Sequence, residues 1–371
     1  MFWDDGISTE LKPTVRTGRV LPTRGDPLGA LRHFLSEWWL AVDLQAMVAP
    51  IESPGCNAVF PQMLTSPEQL AAVNPFAPIM GVNTAGLIEE FISAFPEGRL
   101  AVLLRPCELR TYVELRKRRL AFRTKAGKDP DTDRLALISI DCPGVLDSGD
   151  FIVRAEAEGL DSLTLNAIEW IAHGRWTNGH LRLACQQCEW PIPCGADLTL
   201  GILGTNTQEN LQLIAADEAT AAQLCLEQLT EEPIDEADWQ QRSSASSLLL
   251  DWHSSQPAPE QQRLVYDPHS LLAAFARCNI CTDCLDACPL YDGELAGMLG
   301  VSGTSASGAP LLVNLVAVSR WLASCSGCGM CQEACEQNIP LLNIIYSFNR
   351  RLRSELNYQP GNPQQPLPWT G

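Results

Sequence analysis

Cys278-Asn279-Ile280-Cys281-Thr282-Asp283-Cys284-Leu285-Asp286-Ala287-Cys288-Pro289 places four cysteines at the spacing Cys-x2-Cys-x2-Cys-x3-Cys and closes them with a proline. Thiolates two residues apart wrap a short loop around one corner of an iron–sulfur cubane, each reaching a different iron. The fourth points away and, in two-cluster ferredoxins, ligates the other cluster. The spacing returns at Cys325, Cys328, Cys331 and Cys335. By that rule one 4Fe–4S cluster takes Cys278, Cys281, Cys284 and Cys335, and a second takes Cys325, Cys328, Cys331 and Cys288. Zinc is the plain alternative, but its cysteine sites come as two separated Cys-x-x-Cys pairs rather than two identical runs of four. Glu336 stands after Cys335 where the first run has Pro289, a departure that removes no ligand.

Between the runs, Pro310 to Ala323 carries Leu311, Leu312, Leu315, Val318, Trp321 and Leu322 at helical spacing. With this long insert the module resembles, over residues 266–350, the helical ferredoxin domains of fumarate reductases and heterodisulfide reductases. Upstream, from 231 to about 260, the chain turns to Glu, Asp, Gln, Ser and Pro, which is linker chemistry. Downstream, Gln359 to Gly371 holds four prolines and three glutamines and is expected to run extended over the surface. The expected division is an α/β domain at 1–230, a polar linker at 231–262 that leaves the parts to fold separately, a helical module at 263–350 and a tail at 351–371.

In the N-terminal part, Asp26-Pro27 reads as a helix start ahead of Leu31, Phe34, Leu35 and Trp38. Asn83-Thr84 reads as a cap for a helix with Leu87, Phe91, Ile92 and Phe95. Leu100–Leu104 and Leu135–Ile140 read as buried strands, with a helix from Glu108 to Leu120 and a polar loop from Lys125 to Asp133 between them. Ala196–Leu203 reads as one more strand. Strands alternating with helices predict an α/β core with a partly parallel sheet.

Seven further cysteines lie outside the two runs. Isolated cysteines are usually small buried hydrophobes, which accounts for Cys56 and for Cys225, on an expected helix from Glu218 to Leu229. Cys107 differs, because it follows a strand and opens a helix, where unpaired backbone N–H groups favour a thiolate. Cys142 ends a strand at the edge where α/β sheets place their sites. Cys185 and Cys188 form a Cys-x-x-Cys pair, which fits a redox dithiol or half of a zinc site equally well.

Four stretches then appear in order: Arg105-Pro106-Cys107-Glu108-Leu109-Arg110, Ile140-Asp141-Cys142-Pro143-Gly144, Ala184-Cys185-Gln186-Gln187-Cys188 and Ala196-Asp197-Leu198-Thr199-Leu200-Gly201. As an ordered set, over about residues 28–215 and together with the ferredoxin module, they resemble the beta subunit family of coenzyme F-420-reducing hydrogenases and dehydrogenases, in its formate dehydrogenase branch. The resemblance implies an α/β flavin and iron–sulfur domain followed by a mainly α-helical dicluster ferredoxin domain. It implies a third 4Fe–4S cluster on Cys107, Cys142, Cys185 and Cys188, with Cys194 the substitute ligand, and it implies FAD. The sequence has no Gly-x-Gly-x-x-Gly fingerprint, so the flavin rests on resemblance alone. Arg105 to Arg134 holds ten Arg or Lys against five acids; this is a solvated face or a cradle for an anionic cofactor. Arg105 and Arg110 are the first candidates for that contact, followed by Asn83 and Thr84 at a helix start and Gly201 at the end of the fourth motif.

The whole-chain numbers narrow the function classes. Fifteen cysteines with no segment directing the chain to an oxidising compartment point to metal ligation rather than disulfides. A net charge of −18 opposes binding to nucleic acid. No apolar run is long enough for a membrane span, and the chain is read as cytoplasmic. The expected function is electron relay through 4Fe–4S clusters to or from a flavin that exchanges hydride with a soluble acceptor. The implied partners are a catalytic subunit of formate dehydrogenase or hydrogenase type and a soluble redox coenzyme or ferredoxin. The alternatives are a flavin-free iron–sulfur wire, an electron-input subunit of a sulfite or heterodisulfide reductase, and a zinc-stabilised scaffold.

Overall fold

The computed structural model describes residues 17–53, 55–122, 134–174, 181–255, 268–291 and 311–370. Its centre is a seven-stranded sheet in the order β1-β7-β6-β5-β4-β2-β3. The strands are β1 Thr17–Pro22, β2 Leu44–Glu52, β3 Val59–Leu64, β4 Arg99–Leu104, β5 Leu135–Ile140, β6 Leu198–Gly201 and β7 Asn210–Ala215. β2, β4, β5 and β6 run parallel, and β1, β3 and β7 pair antiparallel at the flanks. The partly parallel α/β core therefore stands, with β4 and β5 where their unbroken apolar runs place them.

Alternation along β4 explains its run of buried residues. Ala101 and Leu103 join one core with the helix Pro27–Ala41, whereas Leu100, Val102 and Leu104 face the other core with Leu109 and Tyr112 of the helix Pro106–Phe122. A strand covered on both faces is apolar at every position. The helix at Pro27 starts as expected, with Asp26 Oδ1 accepting from the Gly29 N–H at 2.8 Å. Asn83 also caps, accepting from Ala85 N–H, but the helix begins as a 3-10 turn over Thr84–Leu87 and becomes α-helical only at Ile88–Ala94. The helix expected from Glu218 to Leu229 is two pieces, Glu218–Gln223 and Leu226–Leu229, broken where Cys225 takes a left-handed backbone (φ 55°).

The segment read as a linker is largely a helix, Glu236–Ser255. Arg242 in that helix forks onto the fully buried Asp141 carboxylate at 2.6 and 2.7 Å, and Ala245 and Leu249 complete the buried contact. Few of its residues are fully buried, so its sequence, rich in Ser, Gln and acids, reads as linker. Residues 256–262, and the loop Lys125–Asp133, lie outside the described residues. Among the described residues no helix is long and apolar enough to cross a membrane.

The C-terminal part has helices Pro268–Phe275, Leu311–Ala323 and Leu341–Leu356, with one-turn helices inside each cysteine run. The helix expected between the runs is present, and its Trp321 Nε1 donates to Cys288 Sγ at 3.4 Å. The last helix continues beyond residue 350, and the tail after it is docked. Tyr358 and Leu367 are buried, and Glu114 accepts from Tyr358 OH at 2.6 Å and from Gly361 N–H at 2.8 Å. Gly361 has φ +81°, and a Cβ there would lie 2.3 Å from the Arg110 side chain.

The two parts meet directly. Thr111 and Ser326 hydroxyls lie 2.6 Å apart, Arg118 donates to the Leu290 carbonyl, and Glu189 pairs with Arg350 and Arg353. The expectation of parts that a linker merely tethers is corrected by this interface.

Candidate functional site

The carboxyl ends of β4 and β5 deliver the first two cysteines of the N-terminal set. β4 runs into Arg105-Pro106, where proline tolerates the first helical turn, and Cys107 sits in that turn. β5 ends at Asp141, which accepts from the Ile202 and Leu203 N–H groups at 2.8 and 3.0 Å as well as from Arg242. Asp141 thus ties the tips of β5 and β6 together and fixes where Cys142 begins its loop. Cys185 and Cys188 come from a one-turn helix, Leu183–Gln186, and the residues after it.

These four thiols come from three separate segments, of which those of Cys107 and Cys185 pack on one buried apolar cluster. Burial raises Cys107 well above the ordinary thiol range, and Glu108 and Cys142 add to it. Cys142 is raised by burial against the opposing charge of Arg105, with Cys185 a further raising neighbour. Cys188 is pushed up to about 11 by burial, with Arg110 opposing and Cys185 and Cys142 adding. Cys194, the substitute ligand, is exposed.

In the C-terminal module Cys284 is raised by burial and then by Cys335, Cys281 and Cys278. Cys331 is raised by burial and then by Cys325, Cys328 and Cys288. Cys335 thus lies near Cys284 of the first run, and Cys288 near Cys331 and Cys325 of the second. Among the described residues no three His, Cys, Asp or Glu side chains converge as one metal ion demands; cubane ligands stand wider apart, since each binds a different iron.

Three buried guanidinium groups surround the N-terminal set. Arg105 Nη1 lies 3.7 Å from Cys142 Sγ and 3.5 Å from the Gly144 carbonyl, and its Nη2 donates to the carbonyls of Ala77 and Ile79. Arg110 donates to the Trp190 carbonyl at 2.7 Å and the Ser326 carbonyl at 3.1 Å, with its charge over the Trp190 ring. Arg182, absent from the sequence reading, donates to the Cys328 carbonyl at 2.7 Å. Among the described residues none of the three forms an ion pair with a carboxylate. Gly144 N–H adds a bond to Cys142 Sγ at 3.4 Å. Ligating thiols must lose their protons, and buried cations with N–H donors favour the thiolate form. The donor set fits a thiolate-bound anionic cluster.

The five residues considered for the flavin are placed differently. Arg105 and Thr84 border one small cleft of about 30 Å³ at the carboxyl end of β4, lined also by Val59, Ile79, Met80 and Glu108. Thr84 spends its N–H and hydroxyl on Glu108, and Asn83 spends its amide on Thr111 and Ala85. Arg110 holds the two parts together, and Gly201 packs under Arg242 and Gln212, where a Cβ would lie 2.8 Å from the guanidinium. These side chains are committed to protein partners and present no ready pyrophosphate cradle.

No family model matches the chain. It is 21% identical over 337 residues to the F-420-dependent formate dehydrogenase subunit beta of Methanocaldococcus jannaschii, spanning 81% of this chain and 83% of that protein. It is 22% identical over 351 residues to the F-420-dependent formate dehydrogenase 1 subunit beta of Methanococcus maripaludis, spanning 84% of each. A chain of the xenon-derivatised F-420-reducing NiFe hydrogenase complex from Methanosarcina barkeri superposes with a TM-score of 0.48 at 12% identity, over 69% of this chain and 94% of its own. The two formate dehydrogenase beta subunits are matched along most of their length, so the likeness is to these oxidoreductase subunits as whole chains and not to one segment of them.

Proposed function

We propose that the chain is the electron-transfer subunit of a formate dehydrogenase- or hydrogenase-type complex and holds three 4Fe–4S clusters and FAD. Cys278, Cys281, Cys284 and Cys335 would hold one cluster, Cys288, Cys325, Cys328 and Cys331 the second, and Cys107, Cys142, Cys185 and Cys188 the third. When bound, the clusters supply one-electron redox chemistry, and the flavin exchanges two-electron hydride with a soluble coenzyme. The observation that carries this reading is the set of three buried guanidinium groups around the Cys107, Cys142 and Cys185 segments, with Arg105 Nη1 3.7 Å from Cys142 Sγ. Such a set of cations without carboxylates is costly to bury unless an anion joins it.

The chain's own residues do the rest. Arg105 and Gly144 donate to Cys142, Trp321 donates to Cys288, and Thr111 and Arg110 seat the second cysteine run against the sheet. Cys278 and Cys281 lie at the surface with Ile280, 83% exposed, between them. This knuckle is where we place the catalytic partner, since an exposed cluster is the one another subunit can approach.

A flavin-free iron–sulfur subunit is the second reading, favoured by the engagement of Asn83, Thr84, Arg105 and Arg110 with protein partners. Anaerobic purification with iron, acid-labile sulfide and flavin counted per chain tests both. About twelve irons, from three clusters of four, with flavin supports the first; the same iron without flavin supports the second. About eight irons removes the third cluster, and zinc in place of iron refutes the proposal.

A further inference from the structure

Ala184, just before Cys185, lies against Gly329, just after Cys328. A Cβ at residue 329 would sit 2.4 Å from Ala184 Cβ, and Gly329 has φ +78°. Only glycine permits this approach. Beside it Arg182 crosses from one cysteine segment to the other. Its Nη2 donates to the Cys328 carbonyl at 2.7 Å and meets Met80 Sδ at 3.3 Å, and its Nη1 meets Met330 Sδ at 3.8 Å. Met80, Val145, Cys328 and Met330 form one buried apolar cluster on which Cys107 and Cys185 pack. Arg182 is 3% exposed, and among the described residues its buried Nε has no hydrogen-bond partner. Thioethers are weak acceptors, so this cation is poorly compensated by the protein alone.

We propose that Arg182 is a positioning residue shared by two cysteine sets, clamping the Cys185 segment to the Cys328 segment and presenting one positive charge to the clusters held on both. The proposal rests on the reading that Cys107, Cys142, Cys185 and Cys188 hold one cluster and Cys288, Cys325, Cys328 and Cys331 another. A thiolate-bound cluster is anionic and becomes more so on reduction. A fixed cation in a dry site favours the reduced form and raises the midpoint potential. The guanidinium stays protonated at every accessible pH, so its effect is constant.

The test uses the anaerobically purified full chain as R182M and R182K, with iron and sulfide counted and midpoints read by electron paramagnetic resonance during redox titration. Both variants should keep wild-type iron. In R182M at least one midpoint should fall by about 59 mV, a tenfold change in the reduced-to-oxidised ratio for one electron, and R182K should restore most of it. Unchanged midpoints in iron-replete R182M overturn the proposal, as does an equal fall in both variants, which would assign the effect to shape and not charge. If R182M loses iron, G329A carries the test. It keeps Arg182 but forces the two segments apart, and it should weaken the magnetic coupling between the reduced clusters; unchanged coupling overturns the shared junction. A wild-type chain without iron for both sets refutes the cluster reading itself, which separates that failure from a failure of the role given to Arg182.

Discussion

The two cysteine runs of the C-terminal part have one spacing and two environments. Cys278 and Cys281 are exposed, with Ile280 between them almost fully in solvent, whereas Cys328 is buried and Cys325 and Cys331 are half-buried against the sheet domain. Burial, with Cys328 and Cys288 adding, pushes Cys325 up to about 12, and burial with Cys328 pushes Cys288 up to about 11. Spacing decides which thiols can share a cluster; the surroundings decide whether that cluster meets another protein or another cluster. The second run reaches its place because Arg110 and Arg182 of the sheet domain hold the Ser326 and Cys328 carbonyls and Thr111 meets the Ser326 hydroxyl.

The largest effect should separate the runs. Cys331→Ser should lose one cluster and open the interface with the sheet domain, whereas Cys281→Ser should lose one cluster locally and leave that interface closed. Limited proteolysis beside iron analysis reads the difference, and equal protease sensitivity in the two variants would erase the contrast drawn here.

The buried side depends in turn on the tip of β5. Asp141→Asn leaves Arg242 without its charged partner in a buried site, which should cost about 3–5 kcal/mol, read as a lower denaturation midpoint. The same substitution should let the Cys142 loop shift and so lower iron content, with the Cys278 run unaffected. Wild-type stability in Asp141→Asn would mean that the helix Glu236–Ser255 is not docked through this pair.

A smaller effect concerns acid. His253 in that helix is held down to about 4 by burial, against a hydrogen bond with the Gln186 backbone that raises it. The ordinary value is about 6.5, so between roughly pH 6.5 and 4 the unfolded chain binds a proton that the folded chain refuses. His253 therefore contributes stability above pH about 6.5 that is lost as the pH falls toward 4. His253→Gln should flatten the fall in unfolding free energy across that window; an unchanged slope would place His253 in water. The smallest effect belongs to Cys194→Ala, which should leave iron content at the wild-type level. Loss of a cluster there would break the assignment of the N-terminal set.

Much of this was readable from residues. The cysteine spacing is local chemistry, since a loop that wraps one cubane corner fixes its ligands within a few positions. β4 and β5 were readable because strands covered on both faces leave unbroken apolar runs. β1, β2, β3 and β7 were not read as strands; flanking antiparallel strands such as Val59–Leu64, half exposed, carry a mixed pattern. Arg105 and Arg110 were singled out for a flavin, yet their guanidinium groups serve Cys142 and the Trp190 and Ser326 carbonyls. Arg182 had one faint signal, an arginine three residues before Cys185 on a one-turn helix.

By itself the sequence determined the thiol spacing and the strands β4, β5 and β6, because each is written in neighbouring residues. Tertiary structure alone decided that the helix Glu236–Ser255 docks through Asp141, that Tyr358 returns to Glu114, and that Arg182 and Gly329 join two cysteine sets. Those contacts join residues up to 244 positions apart. Their energy comes from burying charge and backbone against distant partners, which no local pattern records.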